Sequence, residues 1–340
     1  MTESSTVAAV ASGIGPAGPQ DVGRQRRTLK LGLHRFSGLY VWALLIVVFC
    51  VWSPHTFATT TTVKTIASGQ AITGLLALAG MIPLVVGVFD LSVAQMMGLS
   101  AVFVTWLQYQ HHVNALVAIF LTLLLGLAVG VANAFLVVRL RILSLIATLG
   151  MTSVLTALVY VISTNDIVSG IDPTFIKVGQ YSVGGITVPL MVLILLAAVL
   201  WYVLEFTPVG RFLYATGSNP VAARLSGLAT DRQQSGAFIL SAVIATLTGI
   251  IFAAQVGSAS LTAGPSYLLP ALSAVFLGGT QILPGRFNVP GTLVAVYLLA
   301  TGVTGLELSH PALWINDLFT GVTLLAAVGL AARGARKAGR

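Results

Sequence analysis

Fifteen of the seventeen lysines and arginines of this chain lie on one side of a membrane, once its long apolar runs are counted as membrane spans. Lys and Arg near the ends of spans favour the cytoplasmic side, so this sorting is typical of a chain inserted across a bilayer. The two exceptions, Lys64 and Lys177, fall in segments assigned to the opposite side. A count of nine or eleven spans scrambles the pattern. The sequence therefore predicts about ten transmembrane helices, with both termini cytoplasmic.

The composition leaves little surface for water. Hydrophobic residues make up 56% of the chain and charged residues 8%, against about 25% charged residues in a soluble domain. The net charge of +8 is not a nucleic-acid footprint, because the basic residues cluster at span ends and not on one solvated face. The single cysteine, Cys50, lies inside an apolar run and excludes a disulfide framework. We expect an all-α polytopic membrane protein that binds no nucleic acid.

Apolar runs of about 17 to 25 residues mark the spans. They are predicted at residues 38–53, 64–88, 94–110, 114–138, 143–163, 188–205, 236–256, 266–283, 289–306 and 313–332. The chain then divides into a disordered basic cytoplasmic tail (1–37), a transmembrane domain (38–332) and a second basic cytoplasmic tail (333–340). The run that ends at Trp52 has no clear cleavage site, so it is read as a retained span and not as a signal peptide.

The motifs of common enzymes are absent from the sequence. It contains no H-E-x-x-H, no G-x-S-x-G and no paired-acid cluster. The pair His111–His112 is read as interfacial and not as a metal site, because adjacent side chains on an ordered element face different ways. There is also no G-x-x-x-x-G-K-[ST], so nucleotide-driven work would need another subunit. We predict no catalytic residues, no metal site and no cofactor bound by this chain.

Asp90 is the most unusual internal residue, because an ionisable group at membrane depth is costly and is by default a functional candidate. It lies between the second and third spans, where Asp90 or Ser92 could also cap the following helix. The two roles are compatible, since a broken helix that lines a cavity would use both. Asn133 and Thr148 lie inside later spans, where a hydrogen bond to a neighbouring helix and contact with a solute are alternatives. We assign Asp90, Ser92, Asn133 and Thr148 to the translocation path.

Glycine and proline predict where helices break or approach closely. Pro83, with Gly80 and Gly87, predicts a broken or bent second span. A second Gly- and Pro-rich interruption is predicted at 278–291. Broken helices with polar ends point to a translocation path. Gly126 and Gly130 form a small-xxx-small pattern, which is typical of tight helix packing.

Several segments in order resemble the ribose-type permease family of ABC importers, which serves monosaccharides. The blocks are Asp90–Val93; Asn133 with Arg139 and Thr148–Gly150; Thr207–Arg211, Tyr214–Gly217, Asn219–Arg224 and Ser226–Gly227; Gly278–Thr280; and Gly291–Thr292. The resemblance covers about residues 40–330. It implies a multi-pass permease of the bacterial plasma (inner) membrane. It also implies a second permease copy, identical or related, an ATP-binding subunit that hydrolyses ATP, and an extracytoplasmic sugar-binding protein.

The inside loop 206–235 fits such a partner independently, because its residues 217–228 are small, helix-compatible and basic and lie beside the membrane. A helix there could dock in a groove of an ATPase and transmit its closure; a solvated loop that holds positive charge inside is the alternative. With the resemblance, we predict coupling to the ATPase through six residues of this loop: Arg211, Asn219, Ala222, Ala223, Arg224 and Gly227.

The chain departs from the family pattern at three informative positions. Leu268 and Pro270 stand where the family usually has acidic residues, and Pro284 replaces part of a glycine-rich turn. These departures bear on the solute, and a polyol is an alternative to a monosaccharide. The rival function is a proton-coupled secondary transporter that uses Asp90, although such proteins commonly carry several intramembrane acids or histidines.

Overall fold

The computed structural model describes residues 36–163, 168–169, 171–309, 312 and 314–338 of the 340-residue chain. Nearly all of the predicted N-terminal tail lies outside these residues, as do Asp166, Gly170, His310 and Arg340. In chain order the elements are α1 (Ser37–Trp52), α2 (Thr60–Gly69), α3 (Ala71–Val85), α4 (Val93–Tyr109), α5 (Ala115–Ala134) with a π-helical turn (Phe135–Arg139), α6 (Ser144–Ser163), β1 (Val168–Ser169), α7 (Pro173–Gln180), β2 (Ser182–Val183), β3 (Ile186–Thr187), α8 (Val188–Phe206), α9 (Pro208–Ser218), α10 (Pro220–Leu225), α11 (Thr230–Val256), β4 (Ser258–Ala259), α12 (Ala263–Gly278), α13 (Val289–Ser309) and α14 (Trp314–Ala338).

Every predicted apolar run contains a long helix, which confirms the helical class. Within the described residues, six stretches are long and apolar enough to cross a membrane: Thr60–Val85, Ala115–Arg139, Ser144–Ser163, Val188–Phe206, Thr230–Val256 and Val289–Ser309. Three further apolar helices are shorter: Gly38–Trp52, Ala263–Gly278 and Trp314–Gly329. The protein is therefore an all-α polytopic membrane protein, with short two-residue strands in its connections.

Helices α3, α4, α11 and α12 form the centre of the bundle. All fifteen residues of α3 are buried, and α11 packs against α3, α4 and α5. The outer helices α5, α6 and α8 instead present large apolar side chains such as Leu116, Val161 and Leu195 on the surface. An apolar exterior around a buried centre is what a lipid environment favours, because lipid tails are as apolar as these side chains.

The predicted tight packing at Gly126 and Gly130 is confirmed. A Cβ added at Gly126 would meet the side chain of Thr246, and one added at Gly130 would lie 2.8 Å from the Cα of Ile239. Thr246 and Ile239 both belong to α11, so these two glycines set the close approach of α5 to the central helix.

Two interruptions divide apolar runs, as the glycine and proline patterns predict. The first break, Val86–Ser92, separates α3 from α4, and Gly87 has a left-handed φ of +80° there. The second break, Gly279–Asn288, separates α12 from α13. The predicted second span also divides earlier, at Gln70 between α2 and α3.

Away from the breaks, β1 pairs antiparallel with β4. This pairing joins the predicted outer loop 164–187 to the segment after α11.

Candidate functional site

Asp90 lies in the first break with 3% of its surface exposed. Its Oδ1 accepts hydrogen bonds from the backbone N–H of Ser92 at 3.0 Å and from the hydroxyl of Ser92 at 2.6 Å. Its Oδ2 accepts from the hydroxyl of Ser241 on α11 at 3.5 Å. The capping prediction needs correction. Ser92 takes the N-cap position of α4 but makes no side-chain cap bond; the carboxylate of Asp90 closes a turn just before the helix.

Two hydroxyls of α6 satisfy the backbone of the first break. Ser144 Oγ accepts from the N–H of Phe89 at 3.1 Å, and Thr148 Oγ1 accepts from the N–H of Leu91 at 3.2 Å. Broken backbone at membrane depth needs such partners, because lipid offers none. Ser144 and Thr148 are one helical turn apart, so α6 presents both to the same stretch of chain.

Asn133 of α5 is fully buried and donates from Nδ2 to the hydroxyl of Ser92 at 2.8 Å. The four residues predicted for the translocation path thus come together in one place. We call the group the Asp90 cluster: Asp90, Ser92, Asn133, Ser144, Thr148 and Ser241. Sequence reasoning missed Ser144 and Ser241. The spacing of four between Ser144 and Thr148 was a usable signal, whereas nothing in the local sequence marks Ser241.

A second buried polar residue, also missed, organises the second break. Asn288 is fully buried and donates from Nδ2 towards the carbonyl oxygens of Gly278, Gln281 and Arg286 at 3.4, 3.2 and 2.9 Å. Its Oδ1 accepts from the N–H of Gly291 at 2.8 Å. A signal was present in the sequence, since Asn precedes the Val-Pro that opens α13.

Helix α9, from the predicted coupling loop, touches both breaks. A Cβ at Gly217 would collide with the carbonyl oxygen of Val85 and lie 3.2 Å from the N–H nitrogen of Gly87. Three residues earlier on the same helix, the hydroxyl of Tyr214 donates to the carbonyl of Phe287 at 2.7 Å. The α9 backbone therefore cannot move far without displacing the ends of α3 and of the second break.

Arg286 adds charge to this contact. Its guanidinium lies 3.6 Å from the centroid of the Tyr214 ring and forms a 3.2 Å ion pair with Glu205 at the end of α8. Burial raises the pKa of the Tyr214 phenol, and the guanidinium opposes that rise only in part. Exposed Arg211 lines a cleft of about 480 Å³ together with Tyr214 and Arg286.

The other predicted coupling residues form and anchor α10. Asn219 caps the helix by accepting from the N–H of Ala222 at 3.0 Å, and Ala223 is its buried residue. Arg224 donates to Thr230 and forms a 2.9 Å ion pair with Asp231, which also pairs with Arg141 at 2.8 Å. Gly227 ends the segment with a φ of +83°.

The exposed face of α10 is apolar, which the sequence analysis missed. Val221 and Leu225 are 70% and 85% exposed, and they lie four residues apart on one side of the helix. Such a pair could fill a hydrophobic groove of a partner protein. Within the part of the chain that the structure describes, no group of three His, Cys, Asp or Glu side chains could hold a metal ion.

Comparison with known proteins identifies the family. The family model described as "Branched-chain amino acid transport system / permease component" matches residues 62–328. The chain is similar to the ribose import permease protein RbsC of Escherichia coli (strain K12), with 30% identity over 91% of this chain and 97% of the relative. It is also similar to the autoinducer 2 import system permease protein LsrC of Photorhabdus laumondii, with 32% identity over 83% of this chain and 86% of the relative. A third relative is the fructose import permease protein FrcC of Rhizobium meliloti, with 29% identity over 86% and 83%. No solved structure matches.

Proposed function

The chain belongs to the family of branched-chain amino acid transport system permease components, and we propose that it is the membrane-spanning subunit of an ATP-driven importer for a monosaccharide or similar small polar solute. The similarity to import permeases for ribose and fructose, over more than four fifths of the chain, is the observation that carries this proposal. The departures at Leu268, Pro270 and Pro284 leave the match at family level intact.

The charge distribution suits a neutral solute. Among the described residues, the charged side chains of the long helices lie near helix ends, and Asp90 is engaged by Ser92 and Ser241. A branched-chain amino acid carries two charges, and the described bundle interior offers no cation to meet its carboxylate. The rival function, a proton-coupled transporter that uses Asp90, finds no support in the relatives, which are import permeases.

We propose ten membrane spans with both termini in the cytoplasm of a bacterial inner membrane. The sorting of basic residues supports this topology, because with ten spans fifteen of the seventeen Lys and Arg residues fall on the cytoplasmic side. In that arrangement α9 and α10 lie inside and α7 outside. Reporter fusions at residues 175 and 225 should report opposite sides of the membrane. The same side for both would overturn the ten-span topology.

We propose that α9 and α10 receive the motion of the ATP-binding subunit. Val221 and Leu225 would enter the partner. The Arg224–Asp231–Arg141 ion pairs hold α10 to α11 and to the connection before α6, and α9 contacts both breaks. Closure of two ATP-binding subunits would then shift α9, and with it both breaks, and switch the side to which the cavity faces. A second permease copy and an extracytoplasmic sugar-binding protein complete the importer.

The docking proposal has a matched test. Val221→Asp combined with Leu225→Asp should abolish co-purification of the ATP-binding subunit, because two charges would enter an apolar groove. Ser226→Asp adds a charge at the end of the same helix without touching that apolar pair and should retain the partner. Equal retention by both variants would place the docking surface elsewhere.

The importer itself is tested by purifying the full chain from its native host in mild detergent and reconstituting the complex in vesicles. A stoichiometric subunit with a P-loop should co-purify, and uptake of labelled D-ribose or another tested sugar should require ATP. A protonophore should leave that uptake unchanged. A lone chain whose uptake follows the proton gradient would overturn the proposal in favour of the secondary transporter.

A further inference from the structure

Gln95 is a buried polar residue that the Asp90 cluster does not use. It lies in the first turn of α4 with 1% of its surface exposed, and among the described residues neither its Oε1 nor its Nε2 has a hydrogen-bond partner. Gln108, at the other end of α4, at least donates from Nε2 to the carbonyl of Val104. A buried amide with no partner at all is rare, because burial removes the water that would satisfy it.

The first turn of α12 lies against this amide. A Cβ at Gly264 would lie 3.2 Å from Gln95 Oε1, and one at Gly98 would lie 3.0 Å from the Cα and N of Gly264. The two helices therefore touch through glycines, with the amide beside them. Thr262, at the N-cap of α12, makes no side-chain cap bond. In the turn that follows, Ala263 donates its N–H to the carbonyl of Ser260, Ser266 donates to that of Thr262, and Pro265 has no N–H. Among the described residues, this leaves the N–H of Gly264 without an acceptor.

We infer that Gln95 and the first turn of α12 form a hydroxyl-binding subsite of the solute path, closed where Gly98 meets Gly264 and opened when α4 and α12 separate. The inference rests on the proposed function and names the part of the solute that is read. It also adds Gln95 to the residues proposed for the translocation path.

The chemistry of the subsite matches a neutral polyhydroxy solute. The amide of Gln95 offers one acceptor and two donors, and the helix turn adds an N–H donor. A hydroxyl group donates and accepts, so it can satisfy both sides of the amide at once. The nearest acidic or basic side chain along the sequence is Asp90, in the break before α4, which Ser92 and Ser241 already engage. The subsite therefore favours an uncharged sugar or polyol.

The closed contact also explains why the amide is unsatisfied in this conformation. The β1–β4 pair contacts α4 and leads directly into α12. A movement of that outer segment would draw the first turn of α12 away from Gln95. The unsatisfied amide raises the free energy of the closed form, and a solute hydroxyl would relieve it in the open form.

Cysteine accessibility tests the opening without knowledge of the solute. Cys50 is the only cysteine, so Cys50→Ser gives a clean background for Gln95→Cys and for the control Ser100→Cys. Ser100 is also fully buried on α4, but it faces Gly249 of α11. A membrane-impermeant maleimide applied from outside to the complete transporter during ATP turnover should label position 95 at least about tenfold faster than position 100, since a minor open state suffices for reaction. Equal protection of both positions would overturn the inference.

A second variant separates solute contact from simple packing. Gln95→Leu replaces the unsatisfied amide by an apolar group of similar size, so it should raise thermal stability and raise the KM for D-ribose, or for whichever sugar wild type takes up, by about tenfold for each lost hydrogen bond. Higher stability with an unchanged KM would mean that Gln95 only packs. Labelling at position 95 with no sugar uptake by wild type would contradict the proposed function but support an opening beside Gln95. Sugar uptake with no labelling would support the proposed function and contradict that opening.

Discussion

The two breaks each separate two consecutive helices of the bundle, but different kinds of hydrogen-bond partner hold them. Besides the bonds between Asp90 and Ser92 within it, the first break forms hydrogen bonds with side chains of three other helices: Ser144 and Thr148 of α6, Asn133 of α5 and Ser241 of α11. The second break is closed by one of its own residues, Asn288, whose partners lie two to ten positions away. The first break therefore depends on side chains of other helices, whereas the hydrogen bonds of Asn288 lie within and beside the second break.

This difference separates a break that can respond from one that is rigid. Any movement of α5, α6 or α11 changes the partners of the first break, so its shape reports how the bundle is packed. Elements α8 and α9 contact the second break through Glu205 and Tyr214, but Asn288 closes it locally. We therefore expect the second break to keep its shape when its surroundings move. Helix α9 contacts both, through Gly217 and Tyr214. A displacement of α9 should therefore change the shape of the first break, whereas the second break should move with α9 as a unit.

The largest effect is expected from Asp90→Ala. It removes the acceptor of the Ser92 N–H and hydroxyl and of the Ser241 hydroxyl, and each buried group left unsatisfied costs about 1–3 kcal/mol. Sugar uptake should be lost, and hydrogen exchange should rise in α4, in α6 around Ser144 and in α11 around Ser241. Uptake and exchange by mass spectrometry on the purified complex measure both results.

Asn288→Ala is the matched variant in the second break. It should raise hydrogen exchange within 279–291 and leave α5, α6 and α11 unchanged, because its partners are local. If exchange in α6 rose as much as in Asp90→Ala, the contrast between the breaks would fail.

Asp90→Asn keeps one acceptor oxygen and should impair uptake less than Asp90→Ala does. Loss of proton dependence alone in that variant would instead revive the proton-coupled mechanism.

The sequence predicted the helices and the positions of both breaks, because apolar length, Pro83, Gly87 and the 278–291 interruption act locally. It also placed Asp90, Ser92, Asn133 and Thr148 as a set. It did not predict the partners that come from afar, such as Ser241, since a serine inside an apolar helix carries no mark of the carboxylate it will meet. The contact of Gly217 with Val85 was equally hidden, because it depends on how the segment after α8 folds back on the bundle.

An intermediate effect is expected from Gly217→Leu, which tests the contact of α9 with the first break. The atoms that the new side chain would meet are backbone atoms of Val85 and Gly87, which cannot move aside as a flexible side chain can. Overpacking of this kind costs about 1–3 kcal/mol and should hold α9 away from α3. ATP hydrolysis by the complex should continue while the sugar imported per ATP falls.

Gly236→Leu is the control, because a Cβ at Gly236 meets nothing within 4 Å. It should leave the ratio of uptake to hydrolysis unchanged. An equal fall in both variants would mean that added bulk at this end of the bundle, and not the contact of Gly217 with the first break, lowers coupling.

The smallest effect is expected from Tyr214→Phe, which removes one hydrogen bond between α9 and the second break. The 2.7 Å bond to Phe287 contributes about 0.5–1.5 kcal/mol, and the ring that carries Arg286 remains. The ratio of uptake to hydrolysis should therefore fall only slightly. The wild type should also lose stability, relative to the variant, as the pH rises above about 10, because the pKa of Tyr214 is raised in the folded state and only the protonated phenol suits its buried site. Thermal unfolding of both proteins from pH 8 to 11 measures this difference. A fall in coupling as large as that of Gly217→Leu would mean that the second break is as responsive as the first, and that its local hydrogen bonds do not make it rigid.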